Sequence, residues 1–114
     1  MKTIFRLSEE LNKALLDSKE YQVYKNAEKA LKEQRELYDA VNAFRKRNRQ
    51  IQMYASDETV FDEMNQLTTE YGAVLRNHLV EEFLIAEQRL CRMMQDVYVL
   101  IGKNLEFDDE YMEG

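Results

Sequence analysis

Few side chains in this sequence are suited to chemistry: one histidine, His78, one cysteine, Cys91, and 22 Asp and Glu residues spread over 114 positions. A Ser or Cys nucleophile needs a base beside it, and His78 is the one imidazole the chain offers. It stands at an expected helix start, the usual setting of a surface histidine. A carboxylate-bridged di-iron bundle needs Glu-x-x-His from two helices, yet Leu75 and Glu81 are the residues three positions either side of His78. Metalloprotease and deaminase patterns fail for want of histidines and cysteines. Adjacent carboxylates such as Glu81-Glu82 point to different faces of a helix. The chain therefore reads as a non-enzyme, with no metal, cofactor or small-molecule substrate expected.

A single cysteine excludes an internal disulfide and a Cys-only metal site. Cys91 reads as a small core residue, or as a reactive thiol if Arg92 lowers its pKa; a reduced, cytoplasmic setting suits it best. Two further features stand out. Arg45, Lys46, Arg47 and Arg49 put four cations in five positions, with Arg45 and Arg49 on one helical face. This is either a solvated surface or a docking patch for an acidic protein segment or for RNA phosphates. The net charge of −6 and the lack of interleaved aromatics weigh against RNA. Glu87 falls inside an apolar stripe, so it is either a stripe-edge residue in water or a buried structural carboxylate paired with an arginine or a tyrosine hydroxyl.

These residues must be positioned by helices. The chain has no proline and three glycines, too few turn residues for sheets and too few glycines for a phosphate-binding loop. Residues 1–7 read as a short lead with Ile4, Phe5 and Leu7. Ser8 is the expected N-cap, with Leu11, Ala14 and Leu15 following on one face. Asp17-Ser18 marks a stop and a new start, and Tyr21, Tyr24, Ala27 and Leu31 share the next face. A break or kink is placed at Lys32-Glu33-Gln34-Arg35, although no strong breaker there excludes an uninterrupted helix. Leu37, Val41, Phe44 and Ile51 form a third stripe, which Tyr54 could extend. Ser56-Asp57 caps a fourth helix carrying Val60, Phe61, Met64, Leu67, Tyr71, Val74 and Leu75. The last helix is expected from His78 to about Asn104, ahead of an acidic tail at 106–114. The expected fold is all-α: one helical domain over 1–114, an antiparallel bundle of four to five helices with a long C-terminal helix.

That last helix is apolar on too many sides for so small a bundle. Val97-Tyr98-Val99-Leu100-Ile101 covers the whole circumference, and Phe83-Leu84-Ile85-Ala86 nearly does. Ile85, Val99 and Leu100 are accordingly the candidate oligomer interface, in a homodimer or in a complex with a partner protein. The run at 97–101 is far short of the roughly 20 residues that span a bilayer, and the start of the chain carries no apolar leader, so a cytoplasmic location is expected.

The run Leu15-Leu16-Asp17-Ser18-Lys19-Glu20-Tyr21-x-x-Tyr24-Lys25-x-Ala27, followed by Phe44-Arg45 and by Ala86-Glu87-x-Arg89-Leu90, resembles the YlbF/YmcA family of small bacterial helical proteins. The likeness runs from about Leu7 to Leu105. Gln34-Arg35 and Asn77-His78 stand where members often show Asp-Pro and Asn-Pro. The resemblance implies a non-enzymatic regulator acting through protein partners. Its best-known members are adaptors that join sister proteins, influence competence, sporulation and biofilm formation, and modulate the endonuclease ribonuclease Y. Some such complexes hold iron–sulfur clusters through cysteines. Cys91, alone and mid-helix, does not match a cluster ligand, so that property is not carried over.

Overall fold

Six helices follow one another with short links in the computed structural model, which describes residues 1–108 and 110. They are α1 (Lys2–Leu16), α2 (Lys19–Lys32), α3 (Arg35–Tyr54), α4 (Val60–Glu70), α5 (Gly72–Leu75) and α6 (His78–Gly102). No strand occurs among the described residues.

Side-chain chemistry sets two of the junctions. The Ser18 hydroxyl accepts from the Tyr21 amide at 3.1 Å and donates to the Leu15 carbonyl at 2.7 Å, so one residue closes α1 and opens α2. Asn77 caps α6 in the same way, its side-chain oxygen accepting from the Leu79 amide at 2.9 Å. The chain does break before Arg35, but without a cap: Gln34 leaves the helical region at φ −102°, ψ 79°. Here packing decides. The turn lets Leu31 of α2 and Val41 of α3 sit in one cluster, both fully buried.

Three expectations need correction. The lead at residues 1–7 is helical from Lys2, and Ser8 is not a cap. Its hydroxyl donates to the Ile4 carbonyl at 2.8 Å inside α1, as mid-helix serines do. The fourth helix does not start at Ser56-Asp57. Ser56 organises a turn by accepting from the Thr59 amide, and α4 begins at Val60. Nor does it run unbroken to Leu75: Tyr71 interrupts it just before Gly72, a residue that costs helix stability, and leaves α5 as a four-residue turn. Finally, α6 stops at Gly102, and Asn104 takes the left-handed conformation at φ 66°. Of the acidic tail, Glu106, Phe107, Asp108 and Glu110 are exposed; the others lie outside the described residues.

The core is small. Leu31, Val41, Val80 and Phe83 form its centre, with Tyr24, Ala27, Leu37, Tyr38, Val74, Leu79 and Leu84 packed around it. The Tyr24 and Phe83 rings lie 5.6 Å apart. Leu67, Ile51 and Ala86 complete the set of buried apolar residues among those described. Helix α2 packs antiparallel along the first half of α6, α3 lies over that pair, and α4 and α5 close against α3. Helix α1 touches α2 alone and buries no residue.

The result is flat and open, 49 × 43 × 16 Å, with a radius of gyration of 18.7 Å. A compact chain of this length has a radius near 13 Å. The accessible surface is 9629 Å², against about 6,600 Å² for a compact monomer of this mass. Roughly a third of the surface is thus more than one such chain needs to expose.

Candidate protein-interaction surface

The four cations at 45–49 do not act as one patch. Arg45 reaches from α3 to α6 and donates to the Glu87 carboxylate, while its guanidinium sits 5.2 Å from the centroid of the Phe83 ring. It also donates to the Asn42 side-chain oxygen at 3.3 Å. Arg47 pairs with Glu70 of α4 at 2.7 Å. Lys46 and Arg49 are exposed and form no ion pair among the described residues. The local reason is the wrap of a helix: residues 45 and 47 point to opposite sides, one toward α6 and the other toward α4.

Glu87 is half-buried rather than enclosed, with 27 % of its side chain exposed. It stands near a second polar group on the α2 side. The Glu28 carboxylate accepts from Lys25 at 2.6 Å and from the Tyr24 hydroxyl at 3.4 Å, with Lys32 at 3.9 Å. The bond from Lys25 holds the Glu28 carboxyl below the usual carboxylate range. Burial, followed by the negative charge of Glu28, pushes the Tyr24 hydroxyl above its ordinary value.

The structure keeps the two chemical side chains apart. His78 is exposed and lies 2.9 Å from Glu82 on the surface of α6. Cys91 is exposed, not a core residue as the sequence led us to expect. Thirteen residues of helix put the two about 20 Å apart. Among the described residues, no group of three His, Cys, Asp or Glu is placed to hold a metal ion.

What the surface does offer is apolar. Val99 and Leu100 are 69 % and 68 % exposed, and Tyr98, Ile101, Leu105 and Phe107 are exposed beside them. Ile85, at 42 %, lies with Val23 and Ala30 along an open groove of about 490 Å³ between α2 and α6, with Arg89 at its end. Ile4, Phe5 and Leu7 add a third exposed group on α1. Sequence reasoning placed those three in a short lead and missed that they belong to the face of a helix. The missed signal was the spacing of Ile4, Leu7, Leu11 and Ala14, which continues without a break through Ser8. Among the described residues, no helix is long and apolar enough to cross a membrane.

Residues 4–106 match the family described as control of competence regulator ComK, YlbF/YmcA. Among curated relatives, a UPF0342 protein of Caldicellulosiruptor bescii is 25 % identical over 112 residues, covering 96 % of this chain and 94 % of the relative. A UPF0342 protein of Symbiobacterium thermophilum is 27 % identical over 100 residues, covering 86 % and 89 %. One from Caldicellulosiruptor saccharolyticus is 23 % identical over 112 residues, covering 96 % and 93 %. No solved structure matches the chain. With a match to all but the first three residues and the acidic end, on a fold made of helices alone, the chain belongs to the YlbF/YmcA family of regulators.

Proposed function

We propose that this protein is a non-enzymatic regulatory adaptor whose working surface is the apolar skin of α1 and of the second half of α6. The observation that supports this most is the exposed run Tyr98–Ile101 on a molecule with some 3,000 Å² more surface than a compact monomer of its mass. A standard protein–protein interface takes about 800 Å² from each partner. The chain therefore has room for a homodimer, for a complex with a sister family protein, or for both in turn. The family's description in terms of a competence regulator agrees with a role upstream of gene expression.

RNA decay remains the process that the resemblance connects to such adaptors, but direct RNA binding is disfavoured. Two of the four candidate cations are engaged with Glu87 and Glu70, and the net charge is −6. The test is a chromosomal replacement in the native bacterium. Leu100→Glu, in a chain shown to keep its thermal transition, should reproduce the transcript changes of a full deletion. A Leu100→Glu strain indistinguishable from the parent, beside a deletion with a clear effect, contradicts the reading.

A further inference from the structure

Helices α3 and α4 form a hairpin of their own. Among the described residues, α4 packs on α3 and on the short α5 and meets none of α1, α2 and α6. Ile51 and Leu67, both buried, hold the two helices together with the Phe44 and Tyr71 rings, whose centroids are 5.7 Å apart. The tip lies about 14 Å along α3 beyond Arg45, the residue that ties α3 to α6.

That tip is apolar where nothing covers it. Tyr54, the last residue of α3, is 79 % exposed, and its neighbour Met53 is exposed as well. An open groove of about 340 Å³ lies on one flank, lined by the apolar Ile51, Tyr54 and Ala55 and by the polar Arg47, Gln50 and Glu63. Arg47 is taken up by Glu70 at 2.7 Å, so it leaves Glu63 without a cation. Phe61 is exposed too, but two positions from Glu63 on α4 it emerges on the other flank.

Charge selects the occupant. Residues 50–75 include Asp57, Glu58, Asp62, Glu63 and Glu70 and neither lysine nor arginine. Apart from Glu70, none of these carboxylates forms an ion pair among the described residues. A second copy placed here about a two-fold axis would set the same carboxylates against each other, and a nucleic acid would bring phosphates to them. A guanidinium suits both kinds of group in the groove, because it stacks on an aromatic ring and pairs with a carboxylate. We infer that the Tyr54 groove is a second docking surface, and that its occupant is a basic amphipathic segment of another protein. An arginine of that segment lies over Tyr54 and Glu63, and an apolar side chain rests on Ile51 and Ala55. The groove is separate from α1 and α6, so it can hold its partner while those helices are engaged elsewhere.

The test titrates the full chain with a synthetic peptide of about 15 residues, leucines and arginines in amphipathic helical order, and reads backbone amide shifts by NMR. The shifts should gather at residues 50–55 and 59–63. Tyr54→Ala should weaken the affinity about tenfold, and Glu63→Gln should weaken it and flatten its salt dependence. Phe61→Ala, on the other flank, should leave it unchanged within about twofold. Peptides with serine for leucine, or glutamate for arginine, should bind far more weakly. The mass of Tyr54→Ala in solution should match that of the parent. Shifts centred on residues 97–105 or on the acidic 106–108 overturn the proposal, as does a serine peptide that binds equally well, or a loss as large in Phe61→Ala as in Tyr54→Ala. A Tyr54→Ala chain lighter in solution than the parent assigns the groove to another copy and overturns the basic partner.

Discussion

Arg45 and Glu87, 42 residues apart in sequence, meet across the α3–α6 contact with the Phe83 ring beneath the guanidinium. The pair sits at the edge of the buried cluster, where each charge is partly wet and partly packed. That position suits a device that sets the register of α3 on α6 while adding modestly to stability, since half-exposed ion pairs contribute less than their buried counterparts lose when broken.

Removing one member should therefore be measurable without unfolding the chain. Glu87→Ala is expected to destabilise by about 1–2 kcal/mol, through the unpaired guanidinium left behind. Arg45→Met should cost no more than that, because the carboxylate left behind can turn to water. Urea unfolding of the two single variants and the double variant checks this. A double variant as costly as the two singles added together would show that the residues do not act as a pair.

The remaining cations should be nearly silent. Lys46→Gln and Arg49→Gln are expected to change stability by less than about 0.5 kcal/mol. Arg47→Gln should cost about 0.2–1 kcal/mol for its exposed bridge to Glu70. If the four-fold glutamine variant abolishes a salt-sensitive RNA affinity present in the parent, the nucleic-acid reading returns in place of the adaptor.

Two groups tie stability to pH in opposite senses. Glu28 titrates below its ordinary value in the folded chain, so its contribution is present at neutral pH and is lost as pH falls through the carboxylate range. Tyr24 titrates above its ordinary value of 10.0, so its contribution is full below that pH and is lost as the pH climbs past it. Glu28→Gln should flatten the acid limb of a Tm-against-pH curve, and Tyr24→Phe the alkaline limb. Unchanged limbs in both variants would assign the pH dependence to other groups.

Much of this was legible in the sequence, for identifiable reasons. Ser18 was readable because a hydroxyl before Glu20 and Tyr21 satisfies a local need, and local needs are written locally. The faces that carry Leu31 and Val41 were readable because each is periodic. Ser8 misled for the same reason that Ser18 did not: both look like caps, but only a break in the stripe makes one. Cys91 was read as core because its neighbours Leu90, Met93 and Met94 are apolar. The folded chain leaves it exposed because α2 ends its cover of α6 at Arg89. The partners of Arg45 and Arg47 lie on α6 and α4, across tertiary contacts that no spacing rule reveals.

The central claim is that the exposed face of α6 exists to be covered by protein. Sedimentation equilibrium from 1 to about 50 μM decides it most directly, with the parent beside Leu100→Glu and Phe83→Ala. Burying two or three of the exposed side chains recovers about 1.5–3 kcal/mol each, enough to hold an assembly at these concentrations. The account predicts a parent heavier than 13.7 kDa, a Leu100→Glu chain that is monomeric with its cooperative thermal transition intact, and a Phe83→Ala chain that loses the transition at a cost of about 3–5 kcal/mol. A parent that stays at 13.7 kDa throughout, with a Leu100→Glu chain that unfolds as Phe83→Ala does, would place Leu100 in the core and contradict the account.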